Sequence, residues 1–110
     1  MLSHINSFIG TENYYKHWLG IQYTDGVKYV AEEANAYWLI DAIASYQSKL
    51  KHEPFQTWTL KGNHDKSWTL SATDGNENLL VKQEIEFSDF PLNKIDLYLS
   101  DKILMLTSEY

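Results

Sequence analysis

The 110-residue chain contains no cysteine and no arginine. Without cysteine it forms no disulfide, no thiolate zinc site and no thiol nucleophile. Such a composition suits a reducing compartment, so a cytoplasmic location is expected. Without arginine the chain lacks the planar fork that grips phosphates and carboxylates bidentately. Its nine lysines are scattered from Lys16 to Lys102, against fifteen acidic residues, for a formal net charge of −6. Direct nucleic-acid binding is therefore disfavoured, because reading a phosphate backbone takes a concentrated basic surface. No run of 18 apolar residues occurs, so no membrane span is expected. The opening Met1, Leu2, Ser3 and His4 lack the charged lead and apolar run of a secretion signal. Glycine is limited to five residues, none clustered, and no phosphate-cradling loop or Gly-x-Ser-x-Gly elbow is present.

What the chain does have is apolar and aromatic mass. Hydrophobic residues make up 44%, with four Trp and eight Tyr. This is enough for one core, and residues 1–110 are read as a single domain. Two apolar stripes lie in the middle. Val27, Val30, Ala31 and Ala34 form one; Ala36, Leu39, Ile40, Ile43, Tyr46 and Leu50 form the other. At about 100° per residue their centres fall roughly 150° apart on one wheel, so one straight helix cannot bury both. The pattern predicts a break near Asn35 between two packed helices, the second reaching about Lys51. Before them, residues 1–10 show no clear period. Residues 11–20 read as a short helix, with Thr11 as its N-cap, Gly20 as its left-handed end, and Tyr15, Trp18 and Leu19 on one face.

After Pro54 the period changes to alternation. Gln56, Trp58 and Leu60 share one face of a strand, and Trp68, Leu70 and Ala72 share one face of the next. A hairpin with residues 62–65 in its loop would set Trp58 against Leu70 and Leu60 against Trp68. Residues 73–78 are a strong turn signal. Val81, Ile85 and Phe87 then alternate with Lys82, Glu84 and Glu86, with Gln83 on the apolar side. Ile95, Leu97 and Leu99 alternate with Asp96, Tyr98 and Ser100. Asp101-Lys102 can close a last hairpin into residues 103–106, which also fit a short helix. The expected fold is α+β: N-terminal helices, a short one plus the helical pair, packed on one face of an antiparallel sheet of four to five strands.

Few residues carry chemistry. His4, His17, His52 and His64 form no ligand-spaced pair, so no metal site and no cofactor are expected. His64-Asp65 reads as ordinary turn residues. Asp41 lies in an apolar helical run, where a carboxylate is costly unless it is paired or lines a pocket. His17 stands beside Trp18, amid Tyr14 and Tyr15.

Several segments together resemble one family. They are Thr-Glu-Asn-Tyr-Tyr-Lys-His-Trp-Leu-Gly at 11–20, Tyr-Thr-Asp-Gly-Val-Lys-Tyr at 23–29, Ala-Glu-Glu-Ala at 31–34 and Ala-Tyr-Trp-Leu-Ile-Asp-Ala-Ile at 36–43. Gln-Glu-Ile-Glu-Phe at 83–87, Asp-Phe-Pro-Leu at 89–92 and the terminal Ser-Glu-Tyr extend it. The family consists of short single-domain bacterial proteins, some on plasmids and other mobile elements, catalogued as a domain of unknown function. The resemblance implies a compact stand-alone domain, and it implies no activity, cofactor or catalytic residue.

The leading expectation is a small binding protein whose partner is another protein, as an accessory or inhibitor in a mobile element. Its surface would use Tyr14, Tyr15, His17 and Trp18, with Tyr37 and Asp41 nearby, since large rings make good anchors. An inhibitor mimicking phosphate spacing would draw on Glu32, Glu33, Glu84, Glu86, Asp89 and Asp96. The alternative is a small enzyme or ligand-binding domain, with a pocket between helices and sheet that uses Asp41 and His17. A homodimer sealed through an apolar helix face or an edge strand is a further expectation.

Overall fold

The computed structural model describes residues 2–110. Met1, part of the N-terminal stretch read above, lies outside the described residues. The chain runs β1 (Tyr14–Lys16), β2 (Gln22–Thr24), α1 (Asp25–Glu33), α2 (Tyr37–Ser45), β3 (Phe55–Gly62), β4 (Trp68–Thr73), β5 (Leu79–Ile85), β6 (Lys94–Ser100) and β7 (Ile103–Leu106). The strands form one seven-stranded sheet in the order β1-β2-β7-β6-β3-β4-β5. All neighbours are antiparallel except β2 and β7, which run parallel.

The fold is α+β, but its expected form needs correction on three counts. The sheet is mixed and has seven strands, not an antiparallel four or five. The helices are not N-terminal, since both follow β2. Residues 11–20 are not a helix: they supply β1 and a tight turn into β2. His17 N–H bonds Ile21 C=O at 2.8 Å, and Gly20 N–H bonds His17 C=O at 3.0 Å. Gly20 takes φ 100°, as the last residue of a three-residue hairpin loop favours. The i, i+3, i+4 spacing of Tyr15, Trp18 and Leu19 imitates a helix over too few residues for the period to decide.

The break at Asn35 is present. Asn35 adopts φ 51°, and Ala36 N–H returns to Ala31 C=O at 2.8 Å, the six-to-one bond of a Schellman end. This turn redirects the chain so that Val27, Val30 and Ala31 of α1 and Leu39, Ile40 and Ile43 of α2 all reach the same core. α2 stops at Ser45, short of Lys51, and a single 3₁₀ turn Gln47–Lys49 follows. There Gln47 exchanges side-chain hydrogen bonds of 3.0 and 2.9 Å with buried Gln56, whose Oε1 also accepts Trp58 Nε1–H at 2.9 Å.

The strands bury one face each. Trp58 and Leu60, Leu70 and Ala72, Leu97 and Leu99, and Leu104 and Leu106 line the core beneath the helices. Thr57, Thr59, Thr69, Ser71 and Tyr98 lie half-buried on the other face. The β3–β4 hairpin exists in a register two residues from that expected: Trp58 faces Ala72, Leu60 faces Leu70, and Trp68 faces Gly62. The loop is longer than the alternation alone indicates. Asp101 and Lys102, at φ 50° and 68°, close the β6–β7 hairpin, so residues 103–106 are a strand.

A helix N-terminus leaves its first backbone N–H groups without intrahelical partners. In α1 three of them are met by side chains from separate parts of the chain. Asp25 N–H bonds Thr11 Oγ1 at 2.9 Å, Gly26 N–H bonds Glu109 Oε2 at 3.1 Å, and Val27 N–H bonds Thr24 Oγ1 at 3.3 Å. Glu109 Oε1 also accepts Thr24 Oγ1–H at 2.6 Å and Leu106 N–H at 2.9 Å. The carboxylate sits so close that a Cβ on Gly26 would lie 2.5 Å from Glu109 Oε1 and 2.7 Å from Leu106 Cδ1. Gly26→Ala is therefore expected to lower unfolding free energy by about 1–3 kcal/mol, read from urea denaturation monitored by tryptophan fluorescence. An unchanged midpoint would show that the contact is loose.

Candidate functional site

The β1–β2 hairpin lies beside the helices because Asp25 holds its entry. The Asp25 carboxylate accepts Glu12 N–H at 3.0 Å, Asn13 N–H at 3.2 Å, Asn13 Nδ2–H at 3.3 Å and Tyr15 Oη–H at 2.9 Å. These bonds, led by Tyr15, draw the Asp25 pKa down from 3.8 to about 2. The same bond raises the Tyr15 hydroxyl above its ordinary value. Tyr15 stacks on Tyr23 across the hairpin, with ring centroids 5.5 Å apart, and Lys28 Nζ lies 4.5 Å over the Tyr15 ring. Burial raises the hydroxyl of Tyr37, with the nearby charges of Glu32 and Tyr23 adding to it.

Two residues beyond Tyr15, strand alternation brings His17 to the same face. Its Nε2 lies 2.7 Å from Asp41 Oδ1 on α2, and its Nδ1 accepts Leu19 N–H at 3.1 Å. Because Nδ1 accepts, the proton sits on Nε2 and points at Asp41. The His17 side chain is only 7% exposed, whereas that of Asp41 is 61% exposed. Trp18 stacks on the imidazole, with centroids 5.8 Å apart and planes at 24°, and remains 82% exposed. Leu19, Tyr14 and Tyr37 are exposed as well.

Of the residues marked from the sequence, His17, Trp18 and Asp41 meet in one cluster. Tyr15 pairs instead with Tyr23, and Tyr37 stands one helical turn before Asp41 on α2. Tyr14 lies apart, because strand alternation turns it to the opposite face. Sequence reasoning missed Tyr23, Lys28 and the anchoring role of Asp25. A hairpin reading of Gly20 would have placed Tyr23 opposite Tyr15. Glu32 lies on the helix side beside Tyr15, in the wall of a cavity of about 450 Å³ that also includes Asp25 and Lys28. Glu84 and Asp96 lie on the open face, bonded to Thr69 and Thr59.

Chemically the cluster is built to hold a ring still. Both imidazole nitrogens of His17 are engaged, by Asp41 and by Leu19 N–H, and the hydroxyl of Tyr15 goes to Asp25 and not to this pair. Neither residue lines the cavity beside Tyr15 or the cleft of about 630 Å³ between Leu19, Ile21, Leu50 and Lys102. Among the described residues no three His, Asp or Glu side chains are grouped to hold a metal ion, and no helix is long and apolar enough to cross a membrane.

The Asp25 anchor has a pH signature. Its carboxylate titrates lower when folded than when unfolded, so its contribution is complete above about pH 4 and falls away toward pH 2. The stability gap between the protein and Asp25→Asn should shrink over that interval, measured by denaturant midpoints at pH 7, 4 and 2. A gap independent of pH would contradict the anchor.

The whole chain, residues 1–110, matches the model of the Family of unknown function (DUF6876). No curated protein and no solved structure matches.

Proposed function

The chain belongs to the DUF6876 family, and from that premise we propose that it is a small binding protein that engages another protein through the tip of its β1–β2 hairpin. The observation that carries this reading is Trp18. A large ring held 82% exposed loses the burial that its size would contribute in a core. It is also fixed in place, by stacking on an imidazole that is itself bonded from both nitrogens. An anchor ordered before contact loses little entropy when it binds, and tryptophan is among the residues that most often dominate an interface.

Leu19 and Tyr37 supply apolar area around that anchor, and Asp41 supplies a rim charge. Net charge −6 and nine dispersed lysines favour a protein partner over a nucleic acid. The setting we propose is the bacterial cytosol, as an accessory protein of a mobile element. The absence of cysteine and the family resemblance noted in the sequence support that setting. The alternative of a small enzyme draws on the 2.7 Å contact of His17 with Asp41. It is weakened by the engagement of both ring nitrogens, which leaves the imidazole no free lone pair for base chemistry.

Capture from a lysate of the source organism tests the reading. A stoichiometric protein partner should be retained by the wild type, and Trp18→Ala should weaken its binding by roughly 2 kcal/mol or more, about thirtyfold. Retention equally strong in Trp18→Ala, or recovery of a bound metabolite in place of a protein, would overturn it.

A further inference from the structure

We propose that two copies of this chain join edge to edge through β5, antiparallel about a two-fold axis at Gln83. Among the described residues β5 pairs only with β4, so the backbone groups on its outer side have no strand partner. Such an edge invites another strand. Natural edges are often guarded by charge, and Lys82, Glu84 and Glu86 would serve that purpose against most partners. Against a second copy they do the reverse.

The sequence around Gln83 is self-complementary when read antiparallel. With Gln83 opposite its own counterpart, Lys82 faces Glu84 of the second copy, and Glu84 faces its Lys82. Opposed charges at directly paired positions stabilise a ladder, and like charges disfavour it. On the core side Val81 faces Ile85 of the second copy, and Ile85 its Val81. The register shift between Ala72 and Thr73 leaves residues 81–85 as the regular stretch, which is centred on Gln83. Beyond that stretch lie Leu79 at one end and Phe87 at the other. These two are 60% and 74% exposed, the large apolar residues left uncovered at the two ends of β5.

Neighbouring registers do worse on charge. An axis at Lys82 or at Glu84 sets a like pair at its centre. An axis at Ile85 sets Glu84 against Glu86 twice. Parallel pairing in register opposes every charge with itself. An axis at Val81 sets Lys82 against Leu80 and Glu84 against Asn78 and so gains no opposed charges; charge favours the arrangement at Gln83 over these neighbours. The axis stands perpendicular to the sheet, so both sets of helices cover the same face of a sheet of twice seven strands. β5 and β1 are opposite edges, so the joint leaves both Trp18 tips free at the outer ends.

The test is sedimentation equilibrium of the full chain over a concentration series, with far-UV circular dichroism to confirm folding. The wild type should show a monomer–dimer equilibrium. Lys82→Glu and Glu84→Lys should each weaken the dimer roughly tenfold or more, because each creates two like-charge contacts. The double variant Lys82→Glu/Glu84→Lys should recover it. A wild type monomeric throughout, a dimer indifferent to the single reversals, or a double variant that stays monomeric would overturn the proposal.

Discussion

The first turn of α1 is the constraint on which the rest of the molecule depends. Its free backbone N–H groups must find acceptors, and they find them in Thr11 ahead of the hairpin, Thr24 at the cap and Glu109 near the end of the chain. Gly26 and Glu109 are 83 positions apart in sequence. One helix end therefore ties the N-terminal hairpin, the parallel β2–β7 pair and the last turn into a single joint. Asp25 extends that joint outward, because its carboxylate collects the backbone of residues 12 and 13 and the hydroxyl of Tyr15.

The joint explains how a sheet edge of only three residues stays ordered beside the helices. β1 contributes little ladder of its own, and a two-stranded ribbon alone is marginal in water. It is held from behind by Asp25, and at its tip by Asp41 through His17. The ring of Trp18 then rests on a platform fixed from two helices. Two anchored contacts thus support the base of an exposed indole.

Much of the fold was legible in the sequence. The two opposed stripes gave away the break at Asn35, because burial demands that each helix turn its apolar side to one core. Alternation identified β3 to β6, since one side of each strand faces the helices and the other carries threonines, serines and charges; residues 103–106, too short for a period, stayed open between strand and helix. The first two strands were hidden. Three residues are too few for a period of two, and Tyr15, Trp18 and Leu19 happen to fit helical spacing. The parallel pairing of β2 with β7 and the reach of Glu109 are long-range matters, invisible to any local window. His17 and Asp41 stood out as polar groups in aromatic surroundings, and the structure joins them through a hairpin, not through the short helix expected to carry His17. Tyr23 and the anchoring role of Asp25 escaped notice because both depend on that hairpin.

Amide hydrogen exchange in Glu109→Ala tests the joint most directly. If the first turn of α1 couples the two ends of the chain, exchange should quicken in residues 11–24 and at the start of α1, as well as in 103–110, while β3 and β4 keep their protection. Faster exchange confined to the last few residues, with the hairpin unchanged, would contradict the account.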